Sequence, residues 1–242
     1  MYRFLYVLDF SLLTIRCQFF KCDILTQNTP NLMPKNQILS GKIIQSHFNF
    51  NSKGDNMLEI RWHSRAGQGA VTGAKGLADV ISQTGKQVQA FAFYGSAKRG
   101  AAMTAYNRID DSTILNHEKF MNPDFVLVID PGLTFITDIC EFEKDSTKYI
   151  ITTHLSKDEL VAKKPELKGK EIFVLDCIKI SQETLGKPIP NAPMLGALMK
   201  VSGILELDFF KESFKKVLGK KLPQAVIDKN MEAITRAYNE VK

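Results

Sequence analysis

From Met57 onward the apolar positions switch between a strand period and a helix period, and those switches lay out the fold. Leu58 to His63 alternates loosely and runs into Ser64-Arg65-Ala66-Gly67-Gln68-Gly69, which predicts a first strand ending in a glycine turn. Ala70 to Thr84 carries Val71, Ala74, Leu77, Ala78 and Ile81 at helical spacing, and Gly85 stops it as a C-terminal cap. Val88 to Tyr94 and Ala101 to Ile109 read as strands flanking a Gly95-Ser96-Ala97-Lys98-Arg99-Gly100 loop, with Asp110-Asp111 as a turn. Phe125 to Asp130 is an unbroken apolar run into Asp130-Pro131-Gly132, the pattern of a buried parallel strand. Further strands fall at Tyr149 to Thr152 and Ile172 to Cys177, with a capping-box helix start at Ser156 and Glu159 between them. Gly186 to Pro193 interrupts regular structure, and the rest reads as helices over Leu195 to Leu205, Asp208 to Leu218 and Gln224 to Val241. Strands with intervening helices predict an α/β fold: a three-layer α/β/α domain with a mostly parallel sheet and a helical C-terminal region.

Before Met57 the pattern changes. Met1 to about Phe20 is apolar, but Asp9 and Arg16 interrupt it and no small-residue cleavage site follows, so it fits neither a signal peptide nor a membrane span. Thr26 to Asn56 turns to Asn, Ser, Gln and Lys without a sustained period, as in linkers or disordered segments. Lys53-Gly54-Asp55-Asn56 can be written in codons as AAA GGA GAT AAT, a purine-rich ribosome-binding sequence directly ahead of Met57. The expectation is a domain over 57–242 and, over 1–56, a leader translated from an upstream start or a disordered extension; a genuine membrane or targeting appendage is the alternative.

Composition narrows the function classes. Hydrophobic content of 44% and charged content of 24% are those of an ordinary globule. The net charge of +6 raises nucleic acid as a partner, but the lysines at 163, 164, 168, 170, 211, 215, 216, 220 and 221 are interspersed with acids and lack aromatic interleaving. A solvated face is expected instead, with an acidic protein partner as the alternative and with no nucleic-acid and no membrane partner. Cys140 and Cys177 stand alone, and Cys17 and Cys22 form a single C-x4-C pair, so neither a zinc site nor an iron–sulfur cluster can be assembled from this chain. A reducing, cytoplasmic compartment fits.

The chemistry concentrates in the two glycine-and-arginine segments. A glycine turn between strand and helix brings backbone close to a ligand, and the following helix N-terminus offers unpaired N–H groups with partial positive charge. Gly67, Gly69 and Gly73 give G-x-G-x-x-x-G, Thr72 stands where a dinucleotide fold has its third glycine, and the second strand ends in Phe91-Ala92-Phe93-Tyr94 without an acid for a ribose diol. Gly73-Ala74-Lys75-Gly76 likewise lacks the ending of a phosphate-loop nucleotidase. What survives is a backbone cradle for a phosphate or carboxylate at Arg65, Gly67, Gln68 and Gly69, with His63 as a further contact and the only nearby proton carrier, and Lys98 and Arg99 as a second clamp. A tight packing turn and a solvated loop are the bland alternatives, and a histidine at a strand end, as His63 is, is more often structural. His117 and His154 have no Ser, Cys or paired acid beside them, and Cys177 sits among apolar neighbours as an inert thiol would.

These residues resemble a family. Ile60-Arg61-Trp62-His63-Ser64-Arg65-Ala66-Gly67-Gln68-Gly69-Ala70-Val71-Thr72 is similar to the opening of the gamma subunit of 2-oxoacid:ferredoxin (or flavodoxin) oxidoreductases, approximately I-R-x-H-G-R-G-G-Q-G-x-V-T. In the same order, Val88-Gln89-Ala90-Phe91 and Gly95 to Gly100 resemble V-Q-A-F and F-G-x-E-R-R-G, and Asn191 to Leu198 resembles N-x-x-M-L-G-A-L. Ser64 and Ala66 replace two family glycines, and Ala97-Lys98 replaces an acid and an arginine, so contacts needing bare backbone or bidentate arginine there are not carried over. The resemblance implies a pyruvate-type enzyme divided among chains. Thiamine diphosphate with Mg sits between alpha and beta subunits, and iron–sulfur clusters on a delta-like chain or the beta subunit carry electrons to ferredoxin or flavodoxin. Coenzyme A takes the acyl group. It implies no catalytic residue and no cofactor held by this chain alone, but a docking role and a place beside coenzyme A for Arg65, Gly67, Gln68, Gly69, Lys98 and Arg99. An independent dinucleotide-binding oxidoreductase and a pure assembly subunit, for instance of a 2-oxoglutarate enzyme, are the competing readings.

Overall fold

A computed structural model describes residues 57–95, 100–116, 118–219 and 222–242. The leader or extension expected over 1–56, with Cys17 and Cys22, lies outside the described residues, as do Lys98, Arg99 and His117. Six strands form one sheet: β1 (Leu58–Arg65), β2 (Gln87–Tyr94), β3 (Ala102–Asp110), β4 (Phe125–Val128), β5 (Lys148–Thr152) and β6 (Glu171–Leu175). Their order is β2-β3-β1-β4-β5-β6. β1, β4, β5 and β6 run parallel, whereas β3 pairs antiparallel with both β1 and β2. The sheet is therefore mostly parallel, as the alternating pattern predicts, with β3 slotted between β1 and β2.

The helices are α1 (Ala70–Ile81), α2 (Leu133–Ile136), α3 (Lys157–Lys163), α4 (Cys177–Leu185), α5 (Asn191–Ser202), α6 (Leu207–Gly219) and α7 (Gln224–Glu240). Short 3-10 turns at Ser82–Thr84 and Pro165–Leu167 follow α1 and α3. α3 opens with the expected capping box, Ser156 and Glu159 satisfying each other's backbone N–H. Two of the boundaries that differ from the sequence reading have a clear local cause. The strand expected to reach Cys177 ends at Leu175, because Asp176 turns the chain by accepting from Lys179 N at 2.9 Å and starts α4, which periodicity did not predict. α5 begins at Asn191 rather than Leu195, since Pro193 falls in its first turn, where no intrahelical N–H is needed.

Strand alternation divides β4 between two cores: Phe125, Leu127 and Ile129 join one, and Val126 and Val128 the other. That double burial is why the segment reads as an unbroken apolar run. The first core is covered by α1, α4, α5, α6 and α7; the second, beneath α2 and α3, holds Leu133, Ile139, Leu160 and Leu167. Within the first layer α5 and α7 approach so closely that a Cβ at Gly196 would lie 2.2 Å from the Ile234 carbonyl oxygen, so the M-L-G-A-L glycine is a packing requirement. No helix among the described residues is long and apolar enough to cross a membrane.

Candidate functional site

The predicted cradle forms at the carboxyl ends of β1 and β4, where the topology switches. After β1 the chain enters α1 on one face of the sheet; after β4 it enters α2 on the other. Such a divergence opens a crevice at the strand ends, the usual ligand position in α/β sheets. The β1–β4 register aligns His63 with Val128, which brings Asp130 level with Arg65. The β1–β3 register aligns Arg65 with Ala102, so the ends of the second loop, Gly95 and Gly100, lie at the same pole.

At the turn Gly67 (φ 101°) and Gly69 (φ 92°) are left-handed, a conformation that favours glycine. A Cβ at Gly67 would meet nothing within 4 Å, while one at Gly69 would lie 3.1 Å from Asn191 Nδ2. The turn is thus open at its tip and closed at its base by the first residue of α5, which joins two of the sequence motifs in space. No side chain caps the N-terminus of α1 and no acid lies in its first turn, so its first N–H groups and its positive end are available to an anion.

The side chains around the turn are cross-tied. Gln68 accepts from Arg65 N at 2.8 Å and donates through Nε2 to Asp130 Oδ2 at 2.5 Å. Arg65 Nε pairs with the same Asp130 oxygen at 3.2 Å, and Arg65 Nη1 donates to the Gly100 carbonyl at 3.2 Å. Asp130 Oδ1 accepts from Gly132 N at 2.9 Å and Leu133 N at 3.2 Å, so one carboxylate binds the glycine turn to the loop that starts α2. Asp130 is the member of this network that sequence reasoning missed. Its D-P-G context marks a turn, but its partners Gln68 and Arg65 lie far earlier in the chain and only strand pairing reveals them.

Beneath the turn, β1 carries two unlike faces. Leu58, Ile60 and Trp62 enter the first core, where Trp62 Nε1 donates to Asn107 Oδ1 at 2.9 Å and Asn107 Nδ2 donates to the Ala74 carbonyl at 2.8 Å. Glu59, Arg61, His63 and Arg65 occupy the opposite face. Arg108 Nε reaches Glu59 Oε1 at 2.9 Å. Arg61 Nη1 and Nη2 donate to the carbonyls of Glu141 and Ile139 at 2.8 and 2.9 Å. Of the two readings of His63 the structure favours the structural one over a proton carrier at the turn: the residue is 7% exposed, and burial, followed by the charges of Arg61 and Lys119, pulls its pKa down to about 3. It is a neutral internal side chain at physiological pH.

Of the remaining candidates, Arg65, Gly67, Gln68 and Gly69 come together as expected. Cys177 is fully buried, with burial pushing its thiol up to about 12, and His154 is exposed. No cluster of three or more His, Cys, Asp or Glu suited to a metal occurs among the described residues. The geometry therefore offers an anion-suited turn held by an Arg–Asp–Gln network, and no assembled nucleophile, base and orienting group among the described residues.

Residues 59–240 match the model of the family described as pyruvate ferredoxin/flavodoxin oxidoreductase. The chain belongs to that family. It is 44% identical over 185 residues to pyruvate synthase subunit PorC of Thermotoga maritima, covering 76% of this chain and 94% of that one. It is 40% identical over 184 residues to the common gamma subunit of the pyruvate/ketoisovalerate oxidoreductases of Thermococcus kodakarensis, covering 76% of this chain and 97% of that one. The crystal structure of a pyruvate oxidoreductase PORC subunit from Thermotoga maritima superposes with a TM-score of 0.68 and 38% identity, covering 78% of this chain and 98% of that one. Within the pyruvate ferredoxin/flavodoxin oxidoreductase family this is a chain of the gamma type, and its α/β/α fold is that of its relatives.

Proposed function

We propose that this chain is the gamma subunit of a pyruvate:ferredoxin or flavodoxin oxidoreductase. The assembly oxidatively decarboxylates pyruvate, passes the acetyl group to coenzyme A and delivers electrons to the iron–sulfur or flavin carrier. The single observation that carries the reading is the match of residues 59–240 to the family, joined by relatives named as PorC and common gamma subunits. Alpha, beta and delta chains would supply the remaining chemistry. Those chains would hold thiamine diphosphate with Mg, which would supply an electron sink for decarboxylation, and iron–sulfur clusters, which would supply electron transfer.

For this chain's own residues the reading is docking, with the glycine turn placed beside coenzyme A. The uncapped N-terminus of α1 and the open tip at Gly67 suit a phosphate. Arg65 is paired with Asp130, so its guanidinium would share its charge between that carboxylate and the phosphate while backbone N–H groups close the contact, with Lys98 and Arg99 of the neighbouring loop adding positive charge. The test is steady-state kinetics of the assembled enzyme with Arg65→Ala and Arg99→Ala. A raised coenzyme A requirement with intact assembly supports the phosphate contact; an unchanged requirement sinks it, and loss of the complex instead assigns these loops to subunit docking alone.

A further inference from the structure

Two of the sequence motifs meet in the fold, and their meeting explains a glycine spacing that the turn alone does not. Gly69, the residue that opens α1, and Gly73 within it are one helical turn apart, so they share a face. That face is filled from within the chain. A Cβ at Gly69 would lie 3.1 Å from Asn191 Nδ2 and 3.3 Å from Asn191 Cβ and Cγ. One at Gly73 would lie 3.3 Å from Trp62 Cζ3 and 3.6 Å from Asn191 Cβ. Asn191 therefore seats in a notch made by two positions without a side chain, with Trp62 behind it. Further along α1, Gly76 makes the same kind of room for Phe214 of α6, which a Cβ there would approach to 2.7 Å.

The seated residue is itself held. Asn191 Oδ1 accepts from Ala192 N at 2.8 Å, which orients the amide at the start of α5. Further along α5, Gly196 lets the helix lie against the backbone of α7, where a Cβ would come within 2.2 Å of the Ile234 carbonyl oxygen. α5 is buried from Ala192 to Met199, so in a close-packed interior it cannot slide without breaking one of these approaches. The glycine turn thus has two supports. Gln68 and Arg65 tie it to Asp130 on the β4 side, and on the α5 side it rests against Asn191.

We propose that Asn191 is a positioning residue of the glycine turn: the shape of its side chain sets the height of the turn and so aims the first N–H groups of α1 at the phosphate of coenzyme A. The functional half of this assignment rests on the reading that places coenzyme A at the turn. Backbone donors act on an anion only from where the backbone is held, and a displacement of about 1 Å in such a site can cost about a hundredfold in rate. The two close approaches in series, Ile234 to Gly196 and Asn191 to Gly69, make α5 a strut between α7 and the turn.

The test pairs Asn191→Ala, which takes the amide out of the notch, with Asn191→Leu, which restores the branched shape without its hydrogen-bonding groups. In the assembled enzyme Asn191→Ala should raise the coenzyme A KM about tenfold while the pyruvate KM and subunit retention hold, and Asn191→Leu should bring it back to within about twofold of wild type. In the 242-residue chain, hydrogen exchange over residues 66–72 should rise in Asn191→Ala and return in Asn191→Leu, with the rest of α1 unchanged. Circular dichroism checks that both variants fold. Arg65→Ala and Arg99→Ala, measured alongside, show whether coenzyme A uses the turn at all. If they leave the coenzyme A KM unchanged, the coenzyme A reading fails, and the local exchange change alone decides for or against Asn191. If they raise it, an unchanged coenzyme A KM in Asn191→Ala overturns the proposal. So does a KM that rises as much in Asn191→Leu as in Asn191→Ala, or exchange that rises evenly through α1 and α5, the mark of an ordinary packing residue.

Discussion

The two faces of β1 are both buried yet built from opposite chemistry. The Leu58, Ile60 and Trp62 face is fixed by packing, and its polar atom, Trp62 Nε1, is satisfied by Asn107. The Glu59, Arg61, His63 and Arg65 face is fixed by directed bonds: Arg61 to two carbonyls, Glu59 to Arg108, and Arg65 to Asp130. Apolar packing is non-directional, whereas the two hydrogen bonds of the Arg61 guanidinium fix the direction in which the carbonyls of Ile139 and Glu141 must lie. The polar face is therefore the one that sets the height of the 137–147 connection and of the turn at the end of the strand.

The largest expected effect falls on the apolar face. Trp62→Ala removes a fully buried side chain and strands Asn107 Oδ1, so chemical denaturation should show a loss of roughly 3–5 kcal/mol or an unfolded chain. Next comes the polar face. Arg61→Met keeps volume but leaves the carbonyls of Ile139 and Glu141 without their donor, with an expected loss of about 2–3 kcal/mol. The two should differ in spread: hydrogen exchange in Arg61→Met should rise chiefly over 137–147, and in Trp62→Ala throughout the first core. A uniform rise in both would dissolve the distinction between the faces.

Much of this division was visible in the chain and part of it was not. The alternation of Leu58 to His63 and the solid apolar run of Phe125 to Ile129 reveal which faces are apolar, but not that the polar face of β1 is buried too, because side-chain period reports local chemistry and not what covers it. The glycine turn and its family pattern were legible for the same local reason. Asp130 was not, because its role depends on β1 and β4 lying side by side, which no local period encodes. His63 stayed open between a structural and a proton-carrying role because position at a strand end says nothing about what covers it. The insertion of β3 between β1 and β2, and the start of α4 at Cys177 within an apolar run, are likewise tertiary outcomes overriding local pattern.

His63 sharpens the comparison by pH. Its folded pKa, pulled down to about 3 by burial, lies below the ordinary 6.5, so between those values the unfolded chain binds a proton that the folded chain refuses. Stability from this group is whole above about pH 6.5 and falls as pH drops toward 3. Between pH 7 and pH 5 the wild type should lose about 2 kcal/mol more than His63→Gln, measured by urea unfolding at both values. Equal losses would mean that His63 is solvated in the folded chain and that the polar face is wetter than its geometry states.

The smallest effect belongs to the rim, where the polar face reaches solvent. Asp130→Asn keeps shape and the acceptor for Gly132 and Leu133 but removes the charge facing Arg65, whose side chain is about a third exposed. Screening by water limits the stability loss to about 1 kcal/mol or less. The consequence for binding is larger in kind than in size. If the turn receives a phosphate, releasing Arg65 from Asp130 adds a free cation there, and coenzyme A affinity of the assembled enzyme should hold or improve. If Asp130 instead serves to lock the turn against a neighbouring subunit, the same substitution should weaken assembly and leave coenzyme A dependence unchanged. Stability, subunit retention and coenzyme A dependence measured on this one variant thus separate the rim as a ligand cradle from the rim as a docking element.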